Sequence, residues 1–177
     1  LQRISQNVPF GHSSGAEMVI VEAPMGMGKT EIALYLAAQA ISHGNADGLY
    51  FALPTQASSN ALFDRIFSFT ERITMPGSAM SLAVAHGGRR YFRPYQDLQK
   101  KTLGVLEQFE RTRAALGNYR DIIAPPSEVV APGWLQSSKR TLLASIGIGT
   151  IDQAMLGAIT VRHAFVRLFA LAGKVVV

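Results

Sequence analysis

The chain has 177 residues, of which 48% are apolar and 16% charged, with a net charge of +5. That length suits one domain with a sizeable core, and the apolar content excludes global disorder. Cysteine is absent, which excludes disulfides, a thiol nucleophile and cysteine-ligated zinc and agrees with a reducing cytoplasm.

The first ten residues are polar and lack the apolar centre of a signal peptide. The longest uncharged apolar run, residues 141–151, falls short of the ~18–20 residues that span a bilayer, so no membrane partner is expected. The basic balance favours a polyanionic partner without naming one.

Residues 18–23 form a short, β-branched apolar run, which predicts a central strand buried on both faces. Ala23-Pro24-Met25-Gly26-Met27-Gly28-Lys29-Thr30 follows. Ile32, Leu36 and Ala40 then recur at helical spacing, with Leu34 and Ile41 widening the stripe. A strand, a glycine-bearing loop ending in Gly-Lys-Thr and a helix are the context of a phosphate-binding P-loop, in which backbone N–H groups and the helix dipole face the phosphates. Lys29 would lie on the β- and γ-phosphates of ATP, as the catalytic cation, and Thr30 would give its hydroxyl to Mg²⁺. Pro24, Met25 and Met27 would contribute backbone only, and Glu31 suits the first helical turn. A glycine-rich turn that happens to hold a lysine is the competing explanation.

Asn45-Ala46-Asp47-Gly48 reads as a turn, and residues 49–53 as a second strand. It runs into Pro54-Thr55-Gln56 and a helix with Leu62, Ile66 and Phe69 on one side, capped by Ser58, Ser59 or Asn60. Strand, loop, helix, repeated, is the order of a doubly wound α/β sheet, whose ligands gather at the carboxyl ends of the strands. A third strand, residues 80–85, ends in His86-Gly87-Gly88. Between His86 and Arg113 seven basic residues (Arg89, Arg90, Arg93, Lys100, Lys101, Arg111, Arg113) stand against three acids (Asp97, Glu107, Glu110). Tyr91, Phe92 and Tyr95 are interleaved with them. This stretch, 86–134, reads as an insertion or elaborated connection that either tracks nucleic acid or is a solvated helix face over anchoring aromatics. A fourth strand is expected over 142–148, followed by a tight Gly149-Thr150 junction with Asp152 near the next helix start. Residues 164–171 are helical, Gly173 ends that helix, and 174–177 begin a buried strand.

Three ordered segments carry a resemblance: 22–31 around Gly28-Lys29-Thr30, 53–63 around Pro54-Thr55-Gln56, and 148–154 around Gly149-Thr150. Together they resemble the first motor domain of a superfamily 2 helicase, and more narrowly the CRISPR-associated helicase-nuclease of type I systems. The resemblance implies a RecA-like P-loop NTPase domain with a mostly parallel sheet and helices on both faces. It implies an ATP-driven translocase on single-stranded DNA, recruited by an RNA-guided surveillance complex and joined to a second RecA-like domain and a nuclease domain. Residues 24–31 would hold ATP and Mg²⁺, Gln2 is a candidate adenine contact, and Pro54, Thr55, Gln56, Gly149 and Thr150 would grip the DNA backbone. The family's Asp-Glu pair, expected directly after the last strand, the arginine finger and the nuclease residues do not occur in these 177 residues. The chain is therefore expected to be an incomplete motor domain that binds nucleotide without useful turnover. Two other readings remain open: a P-loop kinase with Arg89, Arg90 and Arg93 in a lid, and a non-catalytic nucleotide- or nucleic-acid-binding module.

Overall fold

In the computed structural model, which describes residues 16–116 (backbone only for 112–116), 128–137, 140–159 and 164–177, side-chain alternation along the central strands decides the layers. In β1 (Gly48–Leu53), Leu49 and Phe51 enter one core, while Tyr50 and Ala52 enter the opposite one. β2 (Ala79–Ala85) divides in the same way, Leu82 and Val84 against Ala83 and Ala85. With β3 (Glu128–Val130), β4 (Ile146–Thr150) and β5 (Lys174–Val176), the sheet has the order β3-β2-β4-β1-β5, and every pairing is parallel. Parallel pairing sets all carboxyl ends on one edge, with Leu53 opposite Thr150 and Ala85 opposite Gly149.

Three helices cover the first face: α1 (Lys29–Ser42) through Leu34 and Ala37, α2 (Gln56–Ile73) through Phe63 and Ile66, and α3 (Arg93–Leu116) through Tyr95 and Leu98. The second face is covered by α4 (Ile151–Met155), α5 (Ala164–Leu171) and the 3-10 turns Gly133–Gln136 and Thr141–Leu143. Small residues on that face make room for Tyr50. A Cβ on Gly147 would sit 2.7 Å from the Tyr50 ring, and one on Gly149 would sit 2.3 Å from the Ala85 carbonyl oxygen. The expected α/β class, with a parallel sheet between two helical layers, is what forms, and the fold is RecA-like.

Three element expectations are corrected. Residues 18–23 form no strand: they pair with no other strand among the described residues, and Met18 is 84% and Ile20 72% exposed. A cavity of about 940 Å³ lies between residues 16–21, α1 and β5, and among the described residues no strand lies beside the run to form a ladder with it. The fourth strand begins at Ile146, not at 142; Leu142 and Leu143 turn as a 3-10 segment whose side chains plug the second face. β3, only three residues long, was not expected. Gln2 lies outside the described residues. Among those residues, no helix is long and apolar enough to cross a membrane.

Candidate functional site

Gly26 and Gly28 take left-handed backbone angles, φ +78° and +82°, which a side chain would strain. Gly28 is the N-cap of α1, and its carbonyl accepts the Ile32 N–H at 3.0 Å; it offers no side-chain acceptor to the first turn. The donors at that end and the positive end of the dipole are left for a ligand. Lys29 Nζ folds back over the loop, donating to the carbonyls of Ala23 at 2.6 Å and Pro24 at 3.1 Å. Phosphate oxygens would replace those neutral acceptors with charged ones, making charge-assisted bonds roughly twice as strong. Met25 is 95% exposed and Met27 is exposed too, so neither side chain obstructs the loop. Glu31 pairs with Arg65 of α2 at 3.4 Å, an exposed contact of little energetic weight.

The loop fits Mg²⁺ that arrives with a nucleotide. Thr30 offers one hydroxyl, phosphates and water would complete the octahedron, and among the described residues no cluster of three or more His, Asp or Glu could hold a metal alone. The 940 Å³ cavity touches Lys29 and Thr30, but its other walls include the core-facing Leu36, Phe51 and Val175.

The second group of predicted residues meets on the carboxyl edge. Thr55 caps α2: its Oγ1 accepts the Ser58 N–H at 3.1 Å. This corrects the expected cap at Ser58, Ser59 or Asn60, because the chain turns helical one residue after Thr55, and Ser59 Oγ instead donates back to the Thr55 carbonyl at 3.0 Å. Leu53, the last residue of β1, pairs with Thr150 of β4 and Pro54 follows it, so the two predicted nucleic-acid segments lie at the ends of adjacent strands. Gly149 and Thr150 are both buried in β4. Gly149 packs on Ala85 and Tyr50, and the Thr150 carbonyl accepts the Tyr50 hydroxyl at 2.9 Å. Burial pushes the Tyr50 phenol well above its usual pKa, a rise that the Arg167 charge opposes and Asp152 adds to.

Sequence reasoning missed the third strand's part in this edge. His86 follows β2 and is 2% exposed; its Nε2 is 3.0 Å from Asn60 Oδ1 in α2, and its Nδ1 has no partner among the described residues. Burial first, then the Arg89 charge, hold the imidazole below its usual pKa. Gly88, in the 3-10 strap Gly87–Tyr91, donates its N–H to Gln56 Oε1 at 3.1 Å. Gln56 thus joins the loop after β1 to the strap after β2. Polar residues at two strand ends were the only available signal; their pairing is tertiary.

The basic, aromatic stretch divides in two. Phe92 and Tyr95 are structural, packing edge-on to Phe63 at centroid distances of 5.2 and 6.3 Å, and Lys100 and Arg111 pair with Asp97 and Glu107 on the exposed face of α3. The strap is different. Arg89 donates to the carbonyls of His86 at 3.3 Å and Gln136 at 2.6 Å, while Arg90, Tyr91 and Arg93 are exposed.

No protein-family model matches the chain. The CRISPR-associated endonuclease/helicase Cas3 of Thermus thermophilus is 42% identical over 163 residues, covering 90% of this chain and 16% of that protein. The CRISPR-associated endonuclease/helicase Cas3 of Escherichia coli is 33% identical over 151 residues, covering 85% and 15%. A crystal structure of T. fusca Cas3-ATP matches with a TM-score of 0.60 at 32% identity, over 87% of this chain and 14% of that one. The chain spans 15–16% of the length of those two curated relatives.

Proposed function

We propose, given that this chain belongs to the family of CRISPR-associated Cas3 nuclease/helicases, that it supplies the ATP-binding segment of a motor that moves along single-stranded DNA in antiviral defence. The observation that carries this is the α1 N-terminus behind Gly28, with Lys29 held over the loop by two carbonyls that phosphates would displace. Likeness to a Cas3 structure titled as an ATP complex supports the same reading.

In this function residues 24–31 cradle the triphosphate. Thr30 would give one oxygen to a magnesium ion, which would supply charge neutralisation at the phosphates, and Lys29 would stabilise the charge that grows as the γ-phosphoryl departs. Gln2 is the candidate contact to the adenine. Pro54, Thr55 and Gln56 contact the DNA backbone together with the Gly149-Thr150 junction at the end of the adjacent strand. Such contacts carry no base sequence, which suits translocation. A water-activating acid, an arginine finger, a second RecA-like domain and a nuclease domain complete the motor, which an RNA-guided surveillance complex recruits in the cytoplasm. The 177-residue segment alone binds nucleotide with little turnover. Residues 86–134 serve as an elaborated connection within one domain, since α3 enters the main core and β3 joins the sheet.

The test is DNA-stimulated ATP hydrolysis by the full-length protein. Lys29→Ala is expected to reduce it by about 10²–10³-fold, the usual cost of one transition-state donor. Hydrolysis untouched by Lys29→Ala contradicts the reading, and phosphate transfer to a small acceptor without DNA stimulation would favour a kinase.

A further inference from the structure

The strap after β2 forms a second site that the P-loop and the Pro54-Thr55-Gln56 loop do not use. A cleft of about 290 Å³ lies between the strap, α3 and the 133–137 loop, lined by Arg89, Arg90, Tyr95, Gln99, Gln136 and Ser137. The lining carries two guanidinium groups and no carboxylate. Arg89 donates to two backbone carbonyls, and no acid lines the cleft to neutralise its charge. Tyr95, fully buried, also lines the cleft. Arg90 is exposed at the rim, its carbonyl held by Gln96, and Tyr91 beside it is 87% exposed while its aromatic neighbours are packed inside.

We infer that this cleft binds one phosphodiester of a single-stranded nucleic acid, with Arg90 on the phosphate and Tyr91 as a platform for the adjoining base. Partly enclosed, uncompensated guanidinium groups select an anion, and Arg suits phosphate because its planar fork meets two oxygens at once. An exposed ring beside a basic groove is the arrangement by which single strands are held without sequence preference. Placement agrees: the strap follows β2, which is two positions from β1 in the sheet, roughly 10 Å at ordinary strand spacing. Gln56 ties the strap to the Pro54-Thr55-Gln56 loop, so one strand of nucleic acid would cross both. This rests on the proposed single-strand binding and extends it to a site that no motif covers.

The experiment measures binding of a labelled oligodeoxythymidylate to the full-length protein over a salt series, with Arg90→Gln, Arg90→Lys, Tyr91→Ala and Gln56→Ala compared with the unmodified protein. Circular dichroism of each variant reports folding. Arg90→Gln is expected to shallow the salt dependence by about 0.7 in slope, one phosphate on a single strand, and Arg90→Lys to restore the slope. Tyr91→Ala is expected to weaken binding about fivefold to a hundredfold at every salt concentration. If Gln56→Ala weakens binding while folded Arg90 and Tyr91 variants bind as the unmodified protein does, this site is refuted and the proposed function stands. Absence of any single-strand binding by the unmodified protein overturns both.

Discussion

His86 Nε2 lies 3.0 Å from Asn60 Oδ1, joining the end of β2 to the second turn of α2. An amide oxygen only accepts, so the imidazole donates from Nε2. A second proton would go to Nδ1, which is buried without a partner, near the Arg89 charge.

The folded-state pKa of His86 therefore lies below 6.5, its ordinary value. As pH falls through that value the unfolded chain takes the proton first, so stability declines until the folded imidazole also protonates. Above that value the full stability is kept. Urea midpoints at neutral and mildly acid pH should differ more for the unmodified chain than for His86→Gln. Equal differences would show that His86 titrates freely.

Lys174 works at the other end of the pH range. Its ammonium donates to the Leu142 and Ala144 carbonyls, and burial, partly offset by Asp47, pushes its pKa down to about 8. Between that pH and the ordinary 10.5 the unfolded chain holds more protons, so stability rises with pH across this window and levels beyond it. Lys174→Met should abolish the rise in a denaturant series. A persistent rise would place its origin elsewhere.

Gly149→Ala would set a Cβ 2.3 Å from the Ala85 carbonyl oxygen and 2.7 Å from the Tyr50 hydroxyl. The expected loss of stability is about 1–3 kcal/mol, typical of overpacking. Gly104→Ala, on the exposed side of α3 with nothing within 4 Å of the new methyl, should instead stabilise by about 0.5–1 kcal/mol. Equal effects of the two substitutions would contradict the packing described for Tyr50.

Thr55→Ala removes the side-chain acceptor at the start of α2. Loss of such a cap costs about 0.5–2 kcal/mol, read as a shift in the urea midpoint. Ser58→Ala keeps that acceptor and should cost less. The reverse order would assign the cap to Ser58.

What was legible in the sequence was local. Gly28-Lys29-Thr30 stood out by residue type ahead of a helix, Pro54-Thr55-Gln56 and Gly149-Thr150 by their position at strand ends, and the parallel α/β class followed from their order. The unpaired 18–23 run shows where that reading stops: an apolar β-branched segment looks the same whether or not a neighbour supplies its hydrogen bonds. Leu142 and Leu143 were read as strand for the same reason, since burial alone does not distinguish a 3-10 plug from a ladder. β3 is too short for any period to show. The Gln56–Gly88 and Asn60–His86 links connect residues 32 and 26 positions apart, and nothing local encodes them.

The most direct test of the nucleotide site is calorimetry of Mg·ATP binding to the full-length protein and to its Lys29→Ala variant. The geometry of Gly28 and Lys29 requires binding by the unmodified protein and a loss of about tenfold to a hundredfold on removing the ammonium, the weight of a charged hydrogen bond. Equal affinity in both, or no binding by well-folded protein, would contradict the assignment of this loop to a nucleotide triphosphate.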